Sequence, residues 1–458
     1  MTPWSLADIA ACLEAPLVHL ASHTRVSEIS TDSRTLERGS LFVPLVGENF
    51  DGHDYARMAV EEKGALALLW SRPDIPDWLA TRDDLEVFRV EDTLAAYQSL
   101  GLYWRKKCGV RCVAITGSVG KTTTKEFLAH FLEPHFKLHK SRANFNNDIG
   151  VPKTLLEVGP RHEMVIVEMG MRGSGEIARL VRAAEPELGI ITAIGTSHIE
   201  LLGSREAIAR AKGELVEGLP AEGRAILPAA DDFFELLSSL SQAPVLSYSA
   251  RPGRGEVAPQ AVLSEDAEST RFVYAGQEYV MPLPGIHHLH DLFAVLAAGK
   301  ALGIDPETML QSLPALSNPE GRAEWMSVGG ARFYLDAYNS APESLKASLG
   351  VLKSCPGRRI AVLGDMLELG ETGPRAHNEI GAGLGSYGVD LVLCYGPLSQ
   401  GLARHAKESG VDARWFEEKS QLAQCLSQEL QAGDSVLVKA SRGMALETVV
   451  EAVKERVS

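Results

Sequence analysis

The residues best equipped for chemistry in this chain stand where "VAITGSVGKTTTKE", residues 113–126, breaks from an apolar run into a glycine turn. The β-branched run up to Thr116 predicts a strand, and "KTTTKEFLAHFL" predicts the helix that follows. A turn of this kind aims the backbone N–H groups of Gly117, Ser118, Val119 and Gly120 at one spot, in front of a helix N-terminus carrying about half a positive charge. Phosphate fits there. Lys121 can reach terminal phosphates as a point charge, the Thr122 hydroxyl can coordinate the magnesium that accompanies them, and Thr123 completes the form T-G-x-x-G-K-T-T. The longer Walker pattern wants glycine at 115, where this chain has Ile115. An incidental lysine beside a glycine turn is the alternative; the strand before and the helix after favour phosphate.

Three later residues could serve a nucleotide with its metal. Glu168 ends the apolar run "MVIVE", and a carboxylate at the carboxyl end of a strand faces the crevice where open α/β sheets bind ligands. By position alone it is equally a solvated loop glutamate. His198, in "IGTSHIE", follows the next apolar run and can ligate a metal as neutral imidazole, although a lone histidine is more often a packing residue. Lys212, in "IARAKGEL", reads by itself as a solvated helical lysine.

The elements that must position these groups fall into three blocks, so the expected fold is α/β with three domains. Residues 1–108 read as a small α/β domain: "RVSEISTD", "SLFVPLVG" and "GALALLW" have strand composition and "HDYARMAVEEKG" is amphipathic. The helix "VEDTLAAYQSLGLYWRKKCG" closes this block in a basic turn and a glycine. In residues 109–314 apolar runs alternate with helical patterns, which implies a central domain with a parallel sheet covered on both faces. There "TRFVYAGQEYVMPLPG" is expected to be a hairpin appended to that sheet. Residues 315–458 repeat the alternation, with "RFYLDAY", "RRIAVLGDM", "DLVLCYG" and "DSVLVKAS" as strands of a doubly wound, Rossmann-like domain.

Composition narrows the role. With 458 residues and 45% hydrophobic, the chain can bury several cores. A net charge of −15 without a basic stripe argues against a nucleic-acid partner. No apolar run reaches the roughly 18 residues of a membrane span, and the first twenty residues lack a basic leader, so a cytoplasmic location is expected. Six scattered cysteines suit a reducing compartment. Cys108 and Cys112 are the only close pair, with no second pair at zinc-ligand spacing.

Taken in chain order, "STDSR" and "LFVPLVGENFDGHDY", then "TGSVGKTTTKE", "NFNNDIGVP" and "AKGELVEGL", then "GRAE", "DAYNSAP", "LGDMLELG" and "KASRGMALE" resemble the Mur ligases, the ATP-dependent amide-bond formers of bacterial cell-wall synthesis. The resemblance runs through all three blocks and implies a UDP-sugar domain, a phosphate-loop ATPase domain and a C-terminal ligase domain. It implies that ATP phosphorylates the carboxylate ending UDP-N-acetylmuramoyl-tripeptide, and that the amine of D-alanyl-D-alanine displaces the phosphate to give the pentapeptide. Lys121, with one magnesium on Thr122 and Glu168, would neutralise the transferring phosphoryl; His198 would hold a second magnesium; Lys212 would be carbamylated. Arg322 would reach the phosphates and Asp336 the ribose, while Asp365 would help admit the dipeptide. Ser33 and Arg34 suit a pyrophosphate or uridine contact, as an arginine fork and a hydroxyl both donate to phosphate oxygens. Asn144, Asn146 and Asn147 offer amides to the muramoyl peptide, or caps to the next helix. A monomer is expected.

The chain departs from the family where G-x-H-N-x-x-N is typical before a helix: "GIHHLHD" puts His288 and Asp291 at the asparagines expected near adenine. Leu335, Ala341 and Ala440 are further departures. Rival readings are another Mur-type ligase, a folylpolyglutamate synthase, and a nucleotide-gated binding protein without ligation.

Overall fold

The computed structural model describes residues 4–142, 145–319 and 322–457. The chain folds into two compact units: residues 1–114, 135–171 and 176–188 form one, and residues 115–134, 172–175 and 189–458 the other.

In the first unit the strands Ile29–Ser30, Leu41–Phe42, Ala67–Trp70 and Glu86–Arg89 pair in that order, all parallel. Phe42, Leu68, Trp70, Leu79 and Leu85 build the core on one face. These strands are shorter than the apolar runs that encode them. "RVSEIS" divides into Arg25–Val26, which pairs antiparallel with Trp4–Ser5, and Ile29–Ser30. Leu41–Phe42 stops just ahead of Pro44, which has no N–H to give a ladder. The amphipathic stretch after Asp51 begins as a 3-10 turn, Gly52–Tyr55, before the α-helix Ala56–Glu61. The helix Thr93–Lys107 is capped by the Asp92 carboxylate, which accepts from the N–H groups of Leu94 and Ala95 at 2.7 and 3.1 Å. The same unit holds the parallel strands Leu138–Lys140 and Met164–Glu168.

The second unit contains the helices Lys121–Leu132 and Arg205–Glu217, the parallel strands Arg224–Pro228 and Val245–Tyr248, and the helix Ile286–Ala301. That last helix is apolar nearly all round, and buries eleven side chains from His288 to Gly299. The expected hairpin forms across Ala275 and Gly276, both at positive φ (50° and 78°), with Tyr274 opposite Gln277. It does not join the parallel sheet. A strand the sequence reading passed over, Ala261–Glu265, pairs with it to make a separate three-stranded antiparallel sheet.

The C-terminal sheet runs Glu324–Val328, Ala331–Leu335, Ser435–Lys439, Arg359–Gly364, Leu391–Tyr395, Asp412–Phe416. Only the first pair is antiparallel. Alternation splits each central strand between two cores: Ala361 and Leu363 pack with Leu345, Leu349 and Leu437, whereas Ile360 and Val362 pack with Phe333, Val436 and Val438. No described helix is long and apolar enough to cross a membrane.

Candidate active site

The phosphate turn is built in the second unit from residues that tolerate nothing larger. Gly117 has φ 156°, and a Cβ there would lie 1.8 Å from Thr192 Oγ1; Gly120 is left-handed, φ 83°, and a Cβ would lie 2.6 Å from Asp291 Oδ1. The turn is tied down by Ser118 N–H donating to Ala193 O at 2.8 Å, Ser197 Oγ to Ser118 O at 3.3 Å, and Thr192 Oγ1 to Val119 O. Lys121 Nζ folds back over the loop, donating to the carbonyls of Gly117 (2.7 Å) and Ser118 (3.4 Å). Ser118 Oγ is buried and has no hydrogen-bond partner among the described residues. An orphaned hydroxyl, a lysine and a helix N-terminus in one turn suit an anion with several oxygens. Thr122 and Thr123 open the helix Lys121–Leu132.

A second cation converges on the same turn from a distant stretch of sequence. Arg322 Nη2 donates to Thr122 Oγ1 at 3.4 Å, and its guanidinium lies flat over the Tyr338 ring, 3.7 Å from the centroid. Tyr338 sits two residues beyond Asp336. The Asp336 carboxylate is taken by buried Lys439 Nζ and by Ser348 Oγ at 2.8 Å. Lys439 also donates to Asn339 O. This lysine was missed in the sequence, where "VLVKAS" reads as an ordinary strand end.

Lys212 is 1% exposed on the helix Arg205–Glu217, and its Nζ has no hydrogen bond or ion pair among the described residues. Burial, with the nearby charge of Lys121, pulls its pKa well below the usual lysine range. That direction favours the neutral amine. The surface reading of this lysine is therefore corrected.

His198 adopts a left-handed conformation (φ 66°) ahead of the short helix Ile199–Leu202. Its Nδ1 lies 2.8 Å from Glu368 Oε2. Glu368 is itself left-handed, φ 63°, and the His198 ring beside it holds its carboxyl below the usual range. A non-glycine residue in that conformation is strained, and two facing each other mark a constrained contact. Glu368 escaped the sequence reading although "LGDMLELG" contains it, because nothing local distinguishes it from a loop glutamate.

Three expected residues are turned to local work. Asp365 is 1% exposed and accepts from Ser399 N and Oγ, both at 2.7 Å, and Leu398 N at 3.2 Å. It fastens the strand Arg359–Gly364 to the start of the helix Ser399–Glu408. His288 is buried with Nδ1 2.7 Å from Pro284 O, and Asp291 accepts from Thr124 Oγ1 at 3.1 Å beneath Gly120.

In the first unit Glu168 is 3% exposed at the end of Met164–Glu168. Its Oε1 accepts from Asn146 Nδ2 at 2.9 Å, and Ser141 Oγ accepts from its backbone N–H. Asn147 Oδ1 accepts from the N–H groups of Ile149 and Gly150, holding the start of the helix Gly150–Leu156, which realises the capping alternative for that residue. Asn144 lies outside the described residues. Ser33 is buried, whereas Arg34 is exposed, its fork closed bidentately on Asp32 at 2.9 and 2.8 Å. That pairing brings Asp32 down to about 2. Among the described residues no three His, Cys, Asp or Glu side chains converge as a metal cage. Magnesium fits such a donor set only when phosphate oxygens and water supply most of its six ligands.

Three family descriptions match the chain in succession: "Mur ligase family, catalytic domain" over residues 25–98, "Mur ligase middle domain" over 115–299 and "Mur ligase, glutamate ligase domain" over 321–442. The UDP-N-acetylmuramoyl-tripeptide–D-alanyl-D-alanine ligase of Synechocystis is 40% identical over 457 residues, covering 97% of this chain and 96% of that one. MurF from Acinetobacter baumannii superposes with a TM-score of 0.89 at 28% identity over 99% of both chains. The MurF ligase of Thermotoga maritima in complex with ADP does so with 0.81 at 25%, over 94% and 97%.

Proposed function

The chain belongs to the Mur ligase family, and from that premise we propose that it joins D-alanyl-D-alanine to UDP-N-acetylmuramoyl-tripeptide, consuming ATP. The enzyme class is that of ADP-forming acid–amino-acid ligases. The observation that carries this reading is the meeting of Lys121 and Arg322, 201 positions apart in the numbering, at the first turn of the phosphate helix.

A carboxylate is a poor electrophile. Phosphorylation supplies the leaving group: the terminal carboxyl oxygen of the tripeptide bonds to the γ-phosphorus, ADP departs, the dipeptide amine attacks the acyl carbon, and phosphate leaves with the former carboxyl oxygen. Catalysis is then positioning and charge stabilisation. The loop N–H groups from Gly117 to Gly120, with Thr123, seat the phosphates; Lys121 and Arg322 offset their charge. Magnesium, when bound with the nucleotide, supplies further positive charge, and Thr122, Glu168 and His198 would hold it, across two ions. Asp336 and His288 serve the nucleoside side, and Asp291 supports the phosphate loop from beneath Gly120; Ser33, Arg34, Asn144 and Asn146 serve the UDP-muramoyl peptide, with Asn147 acting through the helix start it holds; Asp365 acts on the dipeptide through the loop it fastens.

The same reading gives Lys212 a purpose. A neutral amine attacks carbon dioxide, the N–C bond forms, and one proton leaves to solvent, which turns an uncharged group into an anion that can ligate metal ions. Three domains spanning 1–108, 109–314 and 315–458, a monomeric state and a cytoplasmic setting complete the proposal; all six cysteines are free, as a reducing compartment requires.

Phosphate release by the purified protein, supplied with ATP, magnesium and UDP-N-acetylmuramoyl-tripeptide, should depend on D-alanyl-D-alanine. Release indifferent to the dipeptide would overturn the ligase reading. Activity in carbon-dioxide-free buffer should fall and return with bicarbonate; constant activity would remove the carbamate alone.

A further inference from the structure

Asp291 occupies an awkward place for an anion. It is 5% exposed near the start of Ile286–Ala301, pressed against both ends of one turn of the phosphate helix: Oδ1 takes the Thr124 hydroxyl at 3.1 Å, and Gly120 leaves only enough room for a missing Cβ. No cation reaches it among the described residues. The titratable groups on the elements packed around it do not compensate. On the phosphate helix, Lys121 is folded onto loop carbonyls and Lys125 is paired with Glu126 at 3.0 Å. From Val245–Tyr248, the Tyr248 hydroxyl donates to the carbonyls of Ile191 and Thr192. On its own helix, burial lowers the pKa values of His287, His288 and His290, which favours their neutral forms. Asp231, beyond Arg224–Pro228 and near Tyr248, adds only negative charge. A lone buried carboxylate facing one hydroxyl is far less stable than the protonated acid.

We propose that Asp291 works as an uncharged carboxylic acid, matching the shape and hydrogen-bonding capacity of the family's asparagine while it props the phosphate loop, and that loss of its proton weakens nucleotide binding. The proposal rests on the phosphate-loop reading above. The direction of its acidity follows from that setting: burial lifts this carboxyl to about 8, with the Thr124 hydroxyl pulling the other way. An anion formed there would lie directly beneath the seat of the phosphates. Asp291 acts through Gly120 and Thr124, so it is a positioning residue.

The test is the affinity for Mg·ADP, measured calorimetrically between pH 7 and 9.5 for the parent protein and for Asp291→Asn. Other groups that titrate in this range do so in both proteins, so the ratio of their Kd values isolates Asp291. The parent Kd divided by that of the variant should rise about tenfold or more across the range. Thr124→Val, which removes the one stabilising hydroxyl, should move the parent's loss of affinity to higher pH. The thermal midpoint gives a second readout. Because the folded acid holds a proton that the unfolded one has lost, Asp291→Asn should gain stability over the parent progressively from pH 5 to 8 and no further above it. A flat Kd ratio or a pH-independent gap in midpoint would overturn the inference and leave the ligase reading standing. Failure of the parent to bind Mg·ADP at pH 7 would overturn both.

Discussion

Lys212 and Lys439 are both buried lysines of the second unit, 1% and 2% exposed, yet they meet opposite surroundings. Lys439 ends a central strand of the C-terminal sheet, and its ammonium is met by the Asp336 carboxylate and the Asn339 carbonyl. Lys212 lies in the central helix Arg205–Glu217, has no such partner, and feels Lys121 as its nearest charge. Asp291 repeats the pattern with the other sign. A buried charge with a partner maintains a fold; one without a partner neutralises itself and becomes available for chemistry. The C-terminal sheet is thus organised for stability at the point where it meets Tyr338 and Arg322. The surroundings of the phosphate loop are organised for reaction.

The strongest way to break this contrast is at the loop itself. Lys121→Ala should lower kcat/KM for dipeptide joining about a thousandfold while leaving the urea midpoint nearly unchanged, since its Nζ donates to carbonyls of its own loop. Joining at the parent rate would show that the unpaired region is not reactive. Next in size is the paired lysine: Lys439→Met leaves half-buried Asp336 without its cation and should cost about 3 kcal/mol in urea unfolding, most of it recovered in the double variant with Asp336→Asn. A loss equal in the single and double variants would mean that packing, not pairing, matters there.

The pH dependence separates the unpaired lysine further. Lys212 has a depressed folded pKa, so below the unfolded value near 10.4 the unfolded chain binds the extra proton, and this lysine destabilises the fold more as pH falls. In bicarbonate-free buffer the stability advantage of Lys212→Met over the parent should therefore shrink as pH is raised from 7 to 10, the reverse of the trend for Asp291→Asn. Matching slopes for the two variants would contradict the assignment of charge states. The smallest effect belongs to the first unit: Asp32→Asn should leave the thermal midpoint at neutral pH unmoved, because Asp32 and Arg34 form an exposed pair.

Much of the architecture was legible locally. "KTTTKEFLAHFL" is a helix over its full quoted length, and the four apolar runs of the last block are parallel strands as read. Three of the strands that escaped notice, Ala261–Glu265, Glu324–Val328 and Asp412–Phe416, lie at sheet edges, where one side needs no apolar neighbour and the sequence turns polar. Short N-terminal strands were overestimated for a related reason: apolar residues there continue past the ladder into buried loop, as Val43 and Leu45 do.

The sequence alone determined the phosphate turn, because its chemistry needs only neighbours: two glycines that must avoid a Cβ, a lysine one step on and a helix to follow. It also determined the order of the motifs and hence the family. Tertiary structure decided what each charge means. Lys212 and Lys439 are the same residue type on ordinary elements, and only long-range packing supplies a carboxylate to one and withholds it from the other. The free energy of a buried charge depends on what surrounds it in three dimensions, so its protonation state is a property of the fold.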